Sequence, residues 1–259
     1  MKAVILAGGL GSRLGEETAL RPKPLVEIGG LPILWHIMKY YSSFGCQEFI
    51  ICLGYKGFKI KEFFLNYMAH LSDLSIDFTE NLITYSYDSH KKEPWKLHLV
   101  HTGDNNMTGS RIYQTKKFFH DGEDFCLTYG DGVCDVDIAQ EIEFHKKHGK
   151  IGTILAVHPP GRFGVLSVED STVTSFSEKT DNEKGFINGG FFIFNTGIFN
   201  YLSSNDDLIF EQKPLQNLAQ DHQLKAFQHK GFWQCMDTLR DKIYLEELWQ
   251  TKNAPWKRW

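Results

Sequence analysis

No apolar stretch in these 259 residues approaches the roughly 18 needed to cross a membrane, so a membrane-spanning helix is excluded on length. The opening Met1-Lys2-Ala3-Val4-Ile5-Leu6-Ala7-Gly8 holds a short apolar run but neither a basic region nor a cleavage site. It reads as a buried strand, not a secretory signal. Charge of one sign is not in excess: 28 Lys+Arg stand against 32 Asp+Glu, a formal net charge of −4. Lys91-Lys92, Lys116-Lys117 and Lys146-Lys147 are isolated pairs. Nucleic acid is therefore not expected as a partner, because surfaces that track phosphates carry a basic surplus. Cysteines are few and unpatterned. Cys46, Cys52, Cys126, Cys134 and Cys235 are an odd count without C-x-x-C spacing, which argues against zinc and disulfides and for a reducing cytoplasm. Cys52, Cys126 and Cys235 sit among apolar or aromatic neighbours and read as small hydrophobes. Ser/Gly linkers, low-complexity tracts and internal repeats are also absent, so a single mixed α/β domain over residues 1–259 is the simplest organisation.

What is present is an ordinary folded composition, 42% apolar and 23% charged, with an unusual 14% of aromatic residues. Aromatics fill cores, and they also wall sugars and bases. Residues 2–6 form a β-branched apolar run that stops at Gly8-Gly9. Pro32 opens a helical pattern with Leu34, Ile37, Met38 and Tyr41, ending near Gly45. Phe49 to Leu53 is a second buried-strand run, residues 58–71 look helical, and Asp124 to Tyr129 is a third strand. Residues 136–148 follow as an amphipathic helix with Ile138, Ile142 and His145 on one side. This alternation implies βαβ units and a parallel sheet with helices on both faces. Residues 82–101 suggest two strands around Glu93-Pro94-Trp95. Residues 151–194 give several strands with turns at Pro159-Pro160-Gly161 and Asp181-Asn182. Thr238-Leu239-Arg240-Asp241 caps a terminal helix.

The first turn carries the strongest chemical signal. Leu6-Ala7-Gly8-Gly9-Leu10-Gly11-Ser12-Arg13-Leu14 follows a strand directly, where glycines let a backbone approach a phosphate and its N–H groups line an anion site. It is not the dinucleotide fingerprint, because Leu14 occupies the third-glycine position. Nor is it a P-loop, because Ser12-Arg13 follows Gly11. What remains is a fixed cation, Arg13, and a lysine held between prolines in Pro22-Lys23-Pro24. Two cations and a glycine loop suit a triphosphate better than they suit a plain βα turn. Asp131, in Gly130-Asp131-Gly132 at a strand end, and Asp237, before the terminal helix, are candidate Mg²⁺ ligands. Taken singly, each reads equally well as a turn or capping residue. Glu178-Lys179 and Asn188-Gly189-Gly190 offer groups for a sugar phosphate. The loop through Met107-Thr108-Gly109-Ser110-Arg111 can read a base edge or merely cap a helix. Phe232-Trp233 either walls a sugar or fills the core, and His145 and His148 read as structural.

Taken in order, Leu6 to Leu14, Pro22-Lys23-Pro24, Gly130-Asp131, Glu178-Lys179 and Asn188-Gly189-Gly190 resemble the sugar-1-phosphate nucleotidyltransferases. Gly29 to His36, Gly54 to Gly57, Thr102 to Gly109, Pro159 to Gly164 and Gly231 to Thr238 resemble the members that join CTP to glucose 1-phosphate. The likeness covers nearly the whole chain. It implies a Rossmann-like three-layer α/β/α fold with a mixed, mainly parallel sheet, and synthesis of CDP-glucose from CTP and α-D-glucose 1-phosphate with release of pyrophosphate. It further implies Mg²⁺, a homo-oligomer (a hexamer), and the first step toward CDP-3,6-dideoxyhexoses of surface polysaccharide. By the same carry-over Arg13 and Lys23 are catalytic groups on the triphosphate, and Asp131 and Asp237 hold the metal. Leu6, Ala7, Gly8, Gly9, Leu10, Gly11, Ser12, Asn106, Arg111 and Gly130 surround the nucleotide. Glu178, Lys179, Asn188, Gly189 and Trp233 face the sugar phosphate. Ser12 departs from the family's usual threonine but keeps the hydroxyl. On sequence alone, another base or sugar phosphate, and a non-catalytic sensor on the same fold, stay open.

Overall fold

Seven strands build the central sheet: β1 (Lys2–Ala7), β2 (Glu48–Leu53), β3 (Lys96–His101), β4 (Asp124–Tyr129), β5 (Gly152–Val157), β6 (Ile187–Asn195) and β7 (Leu224–His229). The computed structural model describes residues 1–9, 11, 14–86, 93–158, 165–169, 172–177 and 185–259. The spatial order is β7-β5-β6-β4-β1-β2-β3. Only β6 runs against its neighbours, β4 and β5. β1 lies parallel to β2 and β4, β2 to β3, and β5 to β7. The sheet is thus mixed and mainly parallel, as expected.

Its strands read as unbroken apolar runs because both faces are covered. Ala3, Ile5 and Ala7 of β1 join one core, with Ile33, Leu34, Ile37 and Met38 of α1 (Ile33–Ser42) and Leu245 of the terminal helix. Val4 and Leu6 point to the other core, with Phe125, Leu127, Phe192 and Phe194, covered by Ile112 and Leu218. Other helices include α2 (Gly57–Leu65), α3 (Thr108–Tyr113), α4 (Ile138–His148), α5 (Lys213–Gln220) and α6 (Leu239–Gln250). Local chemistry sets their ends. Pro32 precedes α1, the Asp137 side chain accepts from Gln140 N at the start of α4, and Gly149 stops that helix in a left-handed conformation. Thr238 and Asp241 form the anticipated reciprocal cap on α6.

One expectation changes. The helix anticipated over residues 58–71 breaks at Asn66, whose side chain donates to Glu62 O at 2.8 Å, and resumes as Tyr67–Leu71. The two strands expected around Glu93-Pro94-Trp95 are present as Leu82–Ser86 and β3, and they join different sheets. Leu82–Ser86 pairs antiparallel with Asp73–Asp77. Asp77 Oδ1 accepts from Thr79 N and Glu80 N, and Asn81 adopts φ 53°, so that turn is made earlier in the chain. The turns proposed at 159–161 and 181–182 lie outside the described residues.

Most of the aromatic surplus is core. Trp35, Tyr40, Tyr41 and Trp256 are buried, and Phe63, Phe64 and Trp259 pack partly buried against them. His36 lies among Trp35, Trp249 and Trp256, with Nε2 2.8 Å from Ile28 O. Burial holds its imidazole down to about 4, so it is neutral at neutral pH. His145 and His148 both meet Thr153 Oγ1, the structural role expected of them. Among the described residues no helix is long and apolar enough to cross a membrane.

Glu141 of α4 is buried, and its Oε1 has no hydrogen-bond partner. Burial pushes its carboxyl up to about 8 from 4.5. Below pH 4.5 the group is protonated folded and unfolded alike. Between 4.5 and 8 only the unfolded chain sheds the proton, so stability falls as pH rises by up to about 1.4 kcal/mol per unit, and the loss levels off above 8. Glu141→Gln is expected to match the parent near pH 4.5 and to exceed it increasingly toward pH 8. Urea unfolding at both pH values checks this, and a pH-independent difference would refute it.

Candidate active site

β2 and β3 lie on one side of β1 while β4 returns to the other, so the chain reverses direction beside the carboxyl end of β1. Loops diverge at such a switch point and leave a crevice. Register aligns Leu6 with Cys52 on one side and Tyr129 on the other, so Gly8-Gly9, Gly54 and Gly130-Asp131 emerge along one edge. Because β6 is antiparallel, its start, Asn188-Gly189-Gly190, reaches the same edge.

A cavity of about 260 Å³ opens there. Of the anticipated nucleotide contacts, Leu6, Ala7, Gly8, Gly9, Gly11, Lys23, Arg111 and Gly130 line it, together with Asp131 and Asp237. Pro24, Thr108 and Tyr129 complete the wall. Asn106 is not among the described residues that line it; its amide donates to Ser110 Oγ and Asp206 Oδ1 instead. Leu10, Ser12 and Arg13, like Glu178 and Lys179, lie outside the described residues.

Lys23 is presented as the flanking prolines suggest, at the first position of a 3-10 turn, Lys23–Leu25, with Pro22 extended before it. Its ammonium donates to Asp131 Oδ2 and Asp237 Oδ1, each at 2.6 Å. A two-stranded antiparallel ribbon, Gly132–Cys134 with Trp233–Cys235, brings the two aspartates together, since Cys235 stands opposite Gly132. Met236 N then bonds Asp131 O at 2.8 Å. Burial opposes the charge on Lys23, but Asp131 and Asp237 outweigh it and hold its titration above the usual lysine value. Cys235 is not merely a small hydrophobe: its thiol meets Asp237 Oδ2 at 3.5 Å, and burial, then Asp237, pushes it up to about 12.

Arg111 ties the edge together from behind. Its guanidinium, almost fully buried, donates to Leu53 O, Thr102 Oγ1, Gly103 O, Gly8 O and Asp104 O. One side chain thereby fixes the loops after β1, β2 and β3. This explains two glycines by close approach alone: a Cβ on Gly54 would stand 2.5 Å from Nη1, and one on Gly8 would also strike the guanidinium.

On the other side of Asp131 a pocket of about 40 Å³ is lined by Asn188, Gly189 and Trp233, three of the anticipated sugar-phosphate contacts, with Tyr129 and Cys235. Trp233 Nε1 donates to Gly189 O at 2.6 Å, while its neighbour Phe232 stacks on Trp256 in the core. Both rings are half-buried, and Phe232 leans on the core while Trp233 reaches the small pocket.

The family model for nucleotidyl transferases matches residues 2–246. Glucose-1-phosphate cytidylyltransferase of Salmonella typhi is 55% identical over 260 residues, covering 100% of both chains. The probable glucose-1-phosphate cytidylyltransferase of Bacillus subtilis is 42% identical, again over 100% of both. Among solved structures, HddC from Yersinia pseudotuberculosis superposes with a TM-score of 0.66 at 26% identity, covering 96% of this chain and 99% of that one.

Removing the ammonium leaves two carboxylates facing each other. Lys23→Met is therefore expected to lose about 1–3 kcal/mol of stability in metal-free buffer, a range that allows for the partial exposure of both aspartates. Lys23→Met/Asp237→Asn, with one charge fewer, should recover most of it. Chemical unfolding of the pair checks this, and a Lys23→Met chain as stable as the parent would contradict it.

Proposed function

The chain belongs to the nucleotidyl transferase family, and on that premise we propose that it transfers the cytidylyl group of CTP to α-D-glucose 1-phosphate, forming CDP-glucose and pyrophosphate. The observation that carries this reading is the 55% identity with the Salmonella typhi cytidylyltransferase, which extends over the full length of both chains. The cation-holding edge of the sheet supports it, because both substrates are anions and need neutralising groups to approach each other.

An oxygen of the sugar phosphate attacks the α-phosphorus, and pyrophosphate leaves in line. Such transfers depend on positioning and charge neutralisation rather than on covalent help from the protein. Backbone N–H groups of the Gly8-Gly9 loop cradle the phosphates, and Lys23, with Arg13, offsets charge gathering on the departing pyrophosphate. Lys179 steers the incoming phosphate, Glu178 and Asn188 hold the sugar's hydroxyls, and Trp233 forms its wall. The aspartate pair fits Mg²⁺: two hard oxygen ligands already close on one cationic nitrogen. Among the described residues no cluster of three His, Cys, Asp or Glu could hold a metal, so phosphate oxygens and water would complete the shell. When bound by Asp131 and Asp237, Mg²⁺ supplies neutralisation of phosphate charge.

Pyrophosphate release measured with glucose 1-phosphate across CTP, UTP, dTTP and ATP is expected to favour CTP, and preference for another nucleotide would overturn the base assignment. Lys23→Ala and Asp131→Ala should each lower kcat/KM by about a hundredfold or more. Near-parental turnover in either would remove that residue from the mechanism.

We also read the protein as a cytoplasmic homo-oligomer, a hexamer. The Asp73–Asp77/Leu82–Ser86 ribbon supports this: Leu74 with Tyr85 and Ile76 with Ile83 form an exposed apolar face, and Phe78 stands out at its tip. A large exposed apolar patch marks a contact surface. Light scattering should return six times the chain mass, and a monomer would refute the assembly.

A further inference from the structure

Two side chains, Tyr129 and Asp131, line both the nucleotide-side cavity and the small sugar-side pocket. Asp131 is tied to Lys23, whereas Tyr129 is a wall. Its ring meets the edge of Phe192 at a centroid distance of 6.0 Å. Gly190 makes room for it, since a Cβ there would stand 2.5 Å from Tyr129 Cδ2. The inner part of the ring is thus packed in place, and what remains to be held is its hydroxyl end.

Glu211 holds that end. The Tyr129 hydroxyl donates to Glu211 Oε1, and Thr108 Oγ1 donates to Glu211 Oε2 at 2.7 Å. Thr108 also lines the nucleotide cavity, and its Oγ1 accepts from Phe210 N at 2.9 Å. Backbone bonds reinforce the link: Gly109 N to Leu208 O at 2.8 Å and Met107 N to Asp206 O at 2.7 Å. One exposed carboxylate therefore ties the strand-end tyrosine to the loop that opens α3. A carboxylate beside a site for two anionic substrates carries an electrostatic cost, and among the described residues no cation pairs with it. Its two oxygens act as acceptors, one for each hydroxyl.

We propose that Glu211 is a positioning residue for the transfer: by holding the hydroxyls of Tyr129 and Thr108 it fixes the wall shared by both substrates, and so sets how the sugar phosphate meets the α-phosphate. The inference rests on the reading of the site as a nucleotidyl-transfer centre. Each substrate is anchored chiefly by groups other than Tyr129, so loosening the wall leaves separate binding largely intact. It disturbs their mutual alignment, and in-line displacement is sensitive to displacements of about 1 Å.

The test is steady-state kinetics at 25 °C on Glu211→Ala, Glu211→Gln, Tyr129→Phe and the double variant Glu211→Ala/Tyr129→Phe, with thermal unfolding of each. Glu211→Ala and Tyr129→Phe are expected to lower kcat by roughly ten- to a hundredfold while both KM values stay within about threefold. The double variant should be no slower than the slower single, because both break one interaction. Glu211→Gln, whose amide oxygen still accepts from Tyr129, should retain most of kcat. The proposal falls if Glu211→Ala turns over at the parental rate, if the two single effects multiply, or if kcat falls only where the fold itself is melting. A parent that uses another nucleotide or sugar phosphate overturns the CTP and glucose reading alone, since the variants are then compared on that pair. A parent that turns over no pair overturns both.

Discussion

Two ionised carboxylates held at one point repel each other unless a cation lies between them, and that constraint organises this molecule's edge. Asp131 and Asp237 converge because a short antiparallel ribbon sets Gly132 opposite Cys235. Lys23, stiffened by its prolines, places an ammonium 2.6 Å from each. All three come from segments remote in sequence, so the site exists only if β1, β4 and the ribbon before α6 are assembled in register. Charge balance at this edge rests on those three side chains.

A second polar constraint supports the first. Loops that leave a parallel sheet at its carboxyl edge expose backbone carbonyls, and an interior carbonyl without a donor is costly. Arg111 supplies donors to the loops after β1, β2 and β3 together, and Gly8 and Gly54 leave it the space to do so. The glycine loop after β1 is therefore held from behind by a buried guanidinium that lines the cavity while giving its hydrogen bonds to the fold. Glu211 plays a related part on the opposite wall, through Tyr129 and Thr108.

Much of the scaffold was legible because its signals are local. The β-branched run of β1, Pro32 ahead of α1, the Asp137 and Gly149 limits of α4 and the Thr238–Asp241 cap of α6 depend on residues a few positions apart. Strand partners were less legible than the strands themselves. Leu82–Ser86 reads as a strand from its alternation, but its pairing with Asp73–Asp77 is set by the left-handed Asn81 and the Asp77 side chain. The resemblance places Asn106 by the nucleotide, and in the structure Asp206, a hundred positions away, accepts from its amide. Phe232 and Trp233 were indistinguishable by type; in the fold Phe232 stacks on Trp256 while Trp233 donates to Gly189 O.

By itself, the sequence determined the α/β class, the phosphate-ready glycine turn, the clamped lysine and the two aspartates as candidates, because those features are carried by residue type and short spacing. Tertiary structure alone decided that the aspartates share one ammonium and that Arg111 serves three loops. It alone placed Tyr129 as the wall of two pockets and divided the abundant aromatics between core and site. The reason is physical: electrostatic pairing and close packing act over a few ångströms in space, and only the sheet register brings distant segments within that range.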